Sequence, residues 1–284
     1  MLQPDHELIA LGRSQPDDML SVEAVIQDLS QGFDDRQLPA DIDAIVHLAQ
    51  SQNYRDIPAG LPDLQSVNVS ATAALLKYAK LAGARQFVFA STGSIYEGGE
   101  VPQRESQPVV ATSPYAISKH CGELLSGMYQ DEFAITILRP FFLYGPGQNG
   151  MLIPRIIDCI QSGTPVILQG KDGGLELCPT FVEDAAGVFA AAIEGGIVGT
   201  YNLASPHVLN LEELANTIAL QLGTTVQFER DESVAPGRYH PSLEALKQWY
   251  PVDGNFRTFE SGCRDPRCCA RVGLRPSRGP CAMP

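Results

Sequence analysis

The fold is decided by residues 63–91, "DLQSVNVSATAALLKYAKLAGARQFVFAS". Over 63–83 the apolar residues recur at helical spacing, and Gly83 is placed to end the helix in the left-handed conformation that glycine adopts without penalty. A few residues on, "QFVFAS" (86–91) is a short, nearly continuous apolar run, the pattern of a strand covered on both faces. A helix that feeds straight into a doubly buried strand is the repeating unit of a parallel sheet.

The same alternation continues outward. Upstream, "HELIAL" (6–11) alternates and turns at Gly12, "VEAVIQDL" (22–29) fits a strand, and "DAIVHLA" (43–49) reads as a second buried strand. Downstream, Ser113 and Pro114 open "SPYAISKHCGELLSGMYQ" (113–130) as helix N-cap and first-turn proline, and "AITILRP" (134–140) is a further strand. This predicts an α/β fold with helices on both faces of a parallel sheet, whose ligands bind at the carboxyl ends of the strands. After "FFLYGPGQ" (141–148) the character changes to a helix-like stretch, a Gly-rich turn "QGKDGG" and a mixture of short elements. Two domains are therefore expected: residues 1–150, and a smaller α+β lobe over 151–262 from which about 180–203 returns to the large domain. Residues 263–284 carry five arginines against one aspartate and four of the seven cysteines, without any helical or strand period. They are expected to form a disordered or non-native tail that packs against nothing.

Composition sets the class. With 44% hydrophobic and 19% charged residues the chain is globular. No apolar run reaches the roughly 18 residues of a membrane span, and no charged-then-apolar leader opens the chain, so a cytoplasmic protein without a membrane partner is expected. A net charge of −13 disfavours nucleic acid as a partner. Cys121, Cys159 and Cys178 fall in apolar segments and read as small core hydrophobes. Cys268 and Cys269 are adjacent, with no second Cys pair at zinc spacing, so no metal site is expected.

Three polar residues carry the candidate chemistry. Tyr115 and Lys119, four apart on a helix, share one face, which puts an ammonium within reach of a phenol. A cation there would lower the phenol's pKa from about 10 and suit it to proton transfer near neutral pH. Thr92 follows the strand 86–91 at its carboxyl end, where its hydroxyl can bond the same substrate oxygen. A Tyr-x3-Lys pair alone is weak in a chain with nine tyrosines, and the bland alternative is a polar strand end beside a polar helix face.

Taken together, "HLAQ" (47–50), "VNVSATAALLKYAKLAGARQFVFASTGSIYE" (67–97), "SPYAISKHCGE", "LRPFFLYGPGQ", "PTFVEDAAGVFAAAIE" and "GTYNLASPHVLNLEELANTIALQLG", in that order, resemble an extended short-chain dehydrogenase/reductase of the NAD-dependent epimerase/dehydratase group. The resemblance implies a Rossmann-like doubly wound sheet and an NAD(P)-dependent epimerase, dehydratase or reductase acting on a sugar-like or other hydroxylated substrate. It implies Tyr115 as acid/base, Lys119 on the nicotinamide ribose, and Thr92 on the substrate hydroxyl. Asp28 and Leu29 would lie beside the adenine, and Leu48, Ala49 and Gln50 would line the cofactor channel. The assembly implied is a homodimer binding a small-molecule substrate.

Three departures qualify this. The family opens with a strand and a Gly-x-x-Gly-x-x-Gly turn that holds the pyrophosphate, and this chain starts close to the family's second strand, so its sheet is expected to lack the first strand and helix. Where many relatives place an acidic residue on the ribose, Arg13 and Ser14 stand here, which slightly favours NADP over NAD. Phe142 replaces a usual Asn, leaving Arg155 and Arg238 as substrate-phosphate candidates. The alternative reading is a non-catalytic or truncated relative serving as a binding or scaffold protein.

Overall fold

A computed structural model of the chain describes residues 6–15, 22–100, 102–265 and 267. The chain divides into two compact units. The first takes Met1–Glu97, Pro108–Arg139 and Ala186–Tyr201, and the second takes Gly98–Gln107, Pro140–Ala185 and Asn202–Pro284. The chain thus leaves the first unit after Arg139 rather than at the expected 150, and a short segment, 98–107, joins the second.

In the first unit, β1 (Ile9–Gly12) and β2 (Glu23–Ile26) pair in parallel, with Ile9 opposite Glu23. β3 (Ala44–His47), β4 (Gln86–Ala90) and β5 (Ala134–Pro140) form a second parallel run, with Ala44 opposite Gln86 and Gln86 opposite Ala134. Between β3 and β4 the expected long helix is built in three parts. These are α1 (Leu61–Leu64), a π-helical stretch Gln65–Ser70, and α2 (Ala71–Leu81), which closes at Gly83 with φ +73°. α3 (Pro114–Gly127) starts as its sequence requires, the Ser113 side chain accepting from Ala116 N at 3.1 Å and Pro114 standing in the first turn. α3 lies close against β4 at Gly122, where any Cβ would collide with the Phe89 ring.

In the second unit follow β6 (Leu143–Tyr144), α4 (Leu152–Ser162), β7 (Val166–Gln169), β8 (Glu176–Leu177) and β9 (Thr180–Phe181). α5 (Val182–Glu194) and β10 (Gly199–Leu203) return the chain to the first unit, where β10 adds to β5, giving the order β10-β5-β4-β3. The second unit ends with β11 (Leu209–Asn210), α6 (Leu211–Gln221), β12 (Phe228–Asp231) and α7 (Phe259–Cys263).

The sheet of the first unit is thus two pieces, β1-β2 and β10-β5-β4-β3, parallel at β1–β2, β3–β4 and β4–β5, and among the described residues β1 and β3 each have one partner strand. Its core joins Leu75, Leu76, Phe87, Phe89, Phe133, Ile135 and Ile137, with Leu11 and Ile45 packed against them. The core of the second unit gathers Tyr144, Ile156, Ile157, Leu168, Leu177, Phe181, Leu214 and Phe259.

Two expectations are corrected here. Cys263 is not the start of a detached tail: it ends α7, is 4% exposed and belongs to the second unit's core. Arg264 and Arg267 pair with Glu260 and Asp265. The rest of the tail lies outside the described residues. Cys121, expected in a core, is half-buried, whereas Cys159 and Cys178 are buried.

Candidate functional site

In the first unit the strand ends and the first turn of α3 bring three of the expected residues together. Thr92, two residues beyond the end of β4, is 7% exposed and caps a short 3-10 turn by accepting from Ser94 N at 3.1 Å. Tyr115, the second residue of α3, donates its phenol hydrogen to Gln50 Oε1 at 2.8 Å. Its ring lies 4.9 Å from that of Tyr54. Burial pushes the phenol up to about 12; a hydrogen bond with Thr92 works downward and the neighbouring Tyr54 upward.

Lys119 shares the face of Tyr115 but does not act on it as expected. Its ammonium sits 4.5 Å from the centre of the Phe89 ring, and the side chain is only 1% exposed. Burial pulls it down to about 7, against an upward pull from Glu123. The cation is spent on an aromatic face, and the phenol's acidity is governed by burial, Thr92 and Tyr54 instead.

One helical turn further, Glu123 is 6% exposed and receives both arms of Arg139, Nε at 2.9 Å and Nη2 at 2.7 Å, while Arg139 Nη1 donates to the Tyr96 hydroxyl. A second buried chain runs beneath the first turn of α3. His47 Nε2 lies 2.9 Å from Thr72 Oγ1, which donates to Asn68 O. Asn68 Nδ2 donates to Ser118 Oγ at 2.9 Å, and Ser118 Oγ donates to Tyr115 O at 2.8 Å. Asn68 Oδ1 also accepts from Ser51 N at 2.8 Å, tying down the segment that carries Gln50. Asn68, Ser118, Glu123, Arg139 and Tyr54 were not singled out from the sequence. The available signal was a buried-type Asn in the apolar run "VNVSATAALL" and a Glu one turn beyond Lys119.

The remaining candidates fall in three places. Arg13 and Ser14 are exposed in the turn after β1, and Arg13 is one of the influences that hold the Asp28 carboxyl below its usual range, after the Ser30 hydrogen bonds. Leu29 is buried with Val67 and Ala71, and Ala49 packs against that cluster, so both serve the core. Leu48 is 59% exposed at the end of β3, an apolar side chain left open where strand-end ligands bind. Phe142, Arg155 and Arg238 belong to the second unit. Phe142 has φ +42°, a strained conformation for a non-glycine residue, and its ring lies 5.6 Å from Tyr239. Arg155 is half-buried on α4. Arg238 is engaged by Glu100 at 2.7 Å and Glu176 at 3.4 Å, so its charge is already matched.

For a dinucleotide, the donor set at the strand ends fits the ribose side. The Lys119 ammonium and Tyr115 phenol can bond a diol, and the buried Ser91 Oγ beside Thr92 has no hydrogen-bond partner. Among the described residues of the first unit, the glycines at positive φ end turns, such as Gly32 after a 3-10 turn and Gly83 after α2, and none cradles a pyrophosphate. No three His, Cys, Asp or Glu side chains among the described residues are placed to hold a metal ion, and no helix there is long and apolar enough to cross a membrane.

Comparison with known proteins places this geometry. The model of the NAD dependent epimerase/dehydratase family matches residues 1–204. A UDP-glucuronate 4-epimerase of Thermodesulfobacterium geofontis is 35% identical over 149 residues, 51% of this chain and 46% of that protein. A trifunctional UDP-glucose 4,6-dehydratase/UDP-4-keto-6-deoxy-D-glucose 3,5-epimerase/UDP-4-keto-L-rhamnose-reductase of Arabidopsis thaliana is 26% identical over 221 residues, 73% of this chain and 33% of that protein. The chain therefore spans a third to a half of the length of these curated relatives. Among solved structures, the UDP-glucuronic acid 4-epimerase of Bacillus cereus in complex with NAD superposes with a TM-score of 0.80 at 20% identity, over 94% of this chain and 90% of that one. At that identity the likeness establishes the Rossmann-type α/β fold.

Proposed function

The chain belongs to the NAD dependent epimerase/dehydratase family, and from that premise we propose that it acts on the hexose of a nucleotide sugar by nicotinamide-dependent hydride transfer, with Tyr115 as the proton-transferring group. The single observation that carries the reading is the phenol of Tyr115, hydrogen-bonded to Gln50 at the carboxyl end of β3 and lowered in pKa by Thr92 beyond the end of β4. That is where a parallel sheet offers its ligands. The activities of the relatives, epimerisation and dehydration of UDP-hexoses, support the substrate class.

Each side chain then has a task. Tyr115 Oη takes a proton from, or returns it to, a sugar hydroxyl, and Thr92 bonds the same phenol and orients that hydroxyl. Lys119, already stripped of water, bonds the ribose of the cofactor. The Asn68–Ser118 chain fixes the backbone of Tyr115. A bound nicotinamide would supply the hydride acceptor. Arg13 suits a 2′-phosphate, so the cofactor preference leans to NADP. The second reading is a binding relative without catalysis.

The test is turnover of a panel of UDP- and dTDP-hexoses with NAD or NADP, followed by proton NMR, in wild type and Tyr115→Phe. General acid–base groups contribute about 10²–10⁴-fold in rate. We expect Tyr115→Phe to lose turnover by that order with cofactor binding, read by calorimetry, unchanged. Near-normal turnover in Tyr115→Phe removes Tyr115 from the chemistry. Cofactor binding with no turnover of any sugar supports the binding relative instead.

A further inference from the structure

Gln50 is exposed, yet its amide is committed to one partner, the Tyr115 phenol at 2.8 Å. An exposed glutamine ordinarily gains little by holding one rotamer, because the ordering entropy offsets most of a hydrogen bond to a solvated group. Here the surroundings have already met that cost. The next residue is pinned twice: Ser51 N donates to Asn68 Oδ1 at 2.8 Å, and Ser51 Oγ donates to Asp63. Asn53 N donates back to Ser51 Oγ at 3.1 Å. The backbone at Gln50 therefore has one position, and its side chain reaches the phenol from it. The same segment supplies the ring that covers Tyr115: Tyr54 lies 4.9 Å from it, with the Arg55 guanidinium 5.0 Å from the Tyr54 ring.

We propose that Gln50 is a positioning residue for Tyr115. Its amide oxygen accepts the phenol hydrogen, holds the hydroxyl in proton-donor form, and fixes the direction from which a substrate oxygen must displace it. The chemistry follows from the acceptor. An amide oxygen stabilises the O–H form and opposes the phenolate, because it has no hydrogen to offer the oxyanion. Thr92, on the other strand end, contributes in the opposite sense, since its hydroxyl can donate to the phenolate. The phenol thus sits between a group that keeps its proton on and a group that helps it off. The exposed one, Gln50, is free to swing away when a ligand arrives. Of the other groups, Tyr54 lies against the Tyr115 ring and carries the Arg55 guanidinium over its own ring, and Lys119 follows one turn along α3. The Lys119 charge is directed to Phe89, so it does not substitute for Gln50.

The proposal rests on the reading of Tyr115 as the proton-transferring group only for its consequence in turnover. Its test observes the phenol itself, so the two can fail separately. The full chain would be labelled with ζ-carbon-13 tyrosine, Tyr115 assigned by its loss in Tyr115→Phe, and its ionisation followed in wild type, Gln50→Ala and Gln50→Glu. The comparison is made at the highest pH at which all three are folded by circular dichroism. One neutral hydrogen bond is worth roughly one pH unit, so Gln50→Ala is expected to show about ten-fold more Tyr115 phenolate than wild type. Gln50→Glu, which puts a charged acceptor in the same place, is expected to show less. An unchanged Tyr115 resonance in both variants overturns the proposal. So does a rise in the ionisation pH in Gln50→Ala, which would mean that the amide donates to the phenolate.

Discussion

A primary ammonium that is 1% exposed and faces a phenylalanine ring has given up nearly all of its hydration, and the ring returns only part of it. Lys119 is that group, and its pKa of about 7 expresses the deficit. In the unfolded chain the same side chain titrates near its ordinary value of about 10.4. Between those values the unfolded state binds the extra proton, so stability rises with pH from about 7 to about 10.4, by up to about 1.4 kcal/mol per unit. At neutral pH most of that cost is present. Lys119→Met, close in shape and without charge, is therefore expected to stabilise the fold at pH 7 by about 1–4 kcal/mol, although Lys119 is assigned to the cofactor. Urea unfolding at pH 7 and pH 9.5 checks this. The gain should shrink at the higher pH, and a gain equal at both, or none, would show that the ammonium is better solvated than its position indicates. A residue retained at such a cost fits a site in which stability is given up for function.

The element that organises the site is α3, and its far end is held as tightly as its first turn. Arg139 of β5 reaches Glu123 through two parallel bonds, at 2.9 and 2.7 Å, and both partners are buried. Removing one member of such a pair leaves an uncompensated buried charge. Glu123→Gln is expected to cost about 3–5 kcal/mol, whereas the double change Glu123→Gln with Arg139→Met should recover much of it. A denaturant double-mutant cycle measures this, and additive losses would mean that the two side chains are not coupled. The start of α3 was legible in the sequence, because capping by Ser113 and Pro114 is local chemistry. The Tyr115–Lys119 face followed from helical periodicity alone. The Glu123–Arg139 pair was not legible, since it depends on β5 lying beside β4, a contact between distant segments. The destination of the Lys119 ammonium was misjudged for the same reason: helical spacing places two side chains on one face, but Gly122 seating α3 on Phe89 decides where the longer one ends. The left-handed backbone of Phe142 had no signal at all, because nothing about phenylalanine suggests that conformation.

Across the whole molecule two buried basic groups of the first unit, His47 and Lys119, act in one direction below about pH 10, and burial raises the Tyr78 and Tyr115 phenols, whose opposite effect begins only above that. His47, at the end of β3, is 3% exposed, bonded to Thr72 and flanked by Phe87 and Phe89 with ring centres at 6.0 and 5.5 Å. Burial first, and then the charge of Lys119, hold it down to about 3. The folded chain thus keeps His47 neutral until strongly acid pH, whereas the unfolded chain protonates it near 6.5. Its contribution is fully present above about 6.5 and is lost as pH falls towards 3, by up to about 1.4 kcal/mol per unit. Lys119 adds the same sign between about 7 and 10.4. The net charge of −13 works the other way at high pH, through self-repulsion, but surface charges are screened by salt and the two buried groups are far less so. In moderate salt the urea midpoint, followed by far-ultraviolet circular dichroism, should therefore climb from pH 4 through pH 9 instead of peaking near neutrality. The assignment is tested by His47→Phe, which keeps an aromatic ring among Phe87 and Phe89 and removes the titration. Its midpoint should be nearly flat between pH 4 and pH 6.5, with the alkaline rise intact. A variant that keeps the wild-type acid slope would place the proton uptake on another group and not on the end of β3.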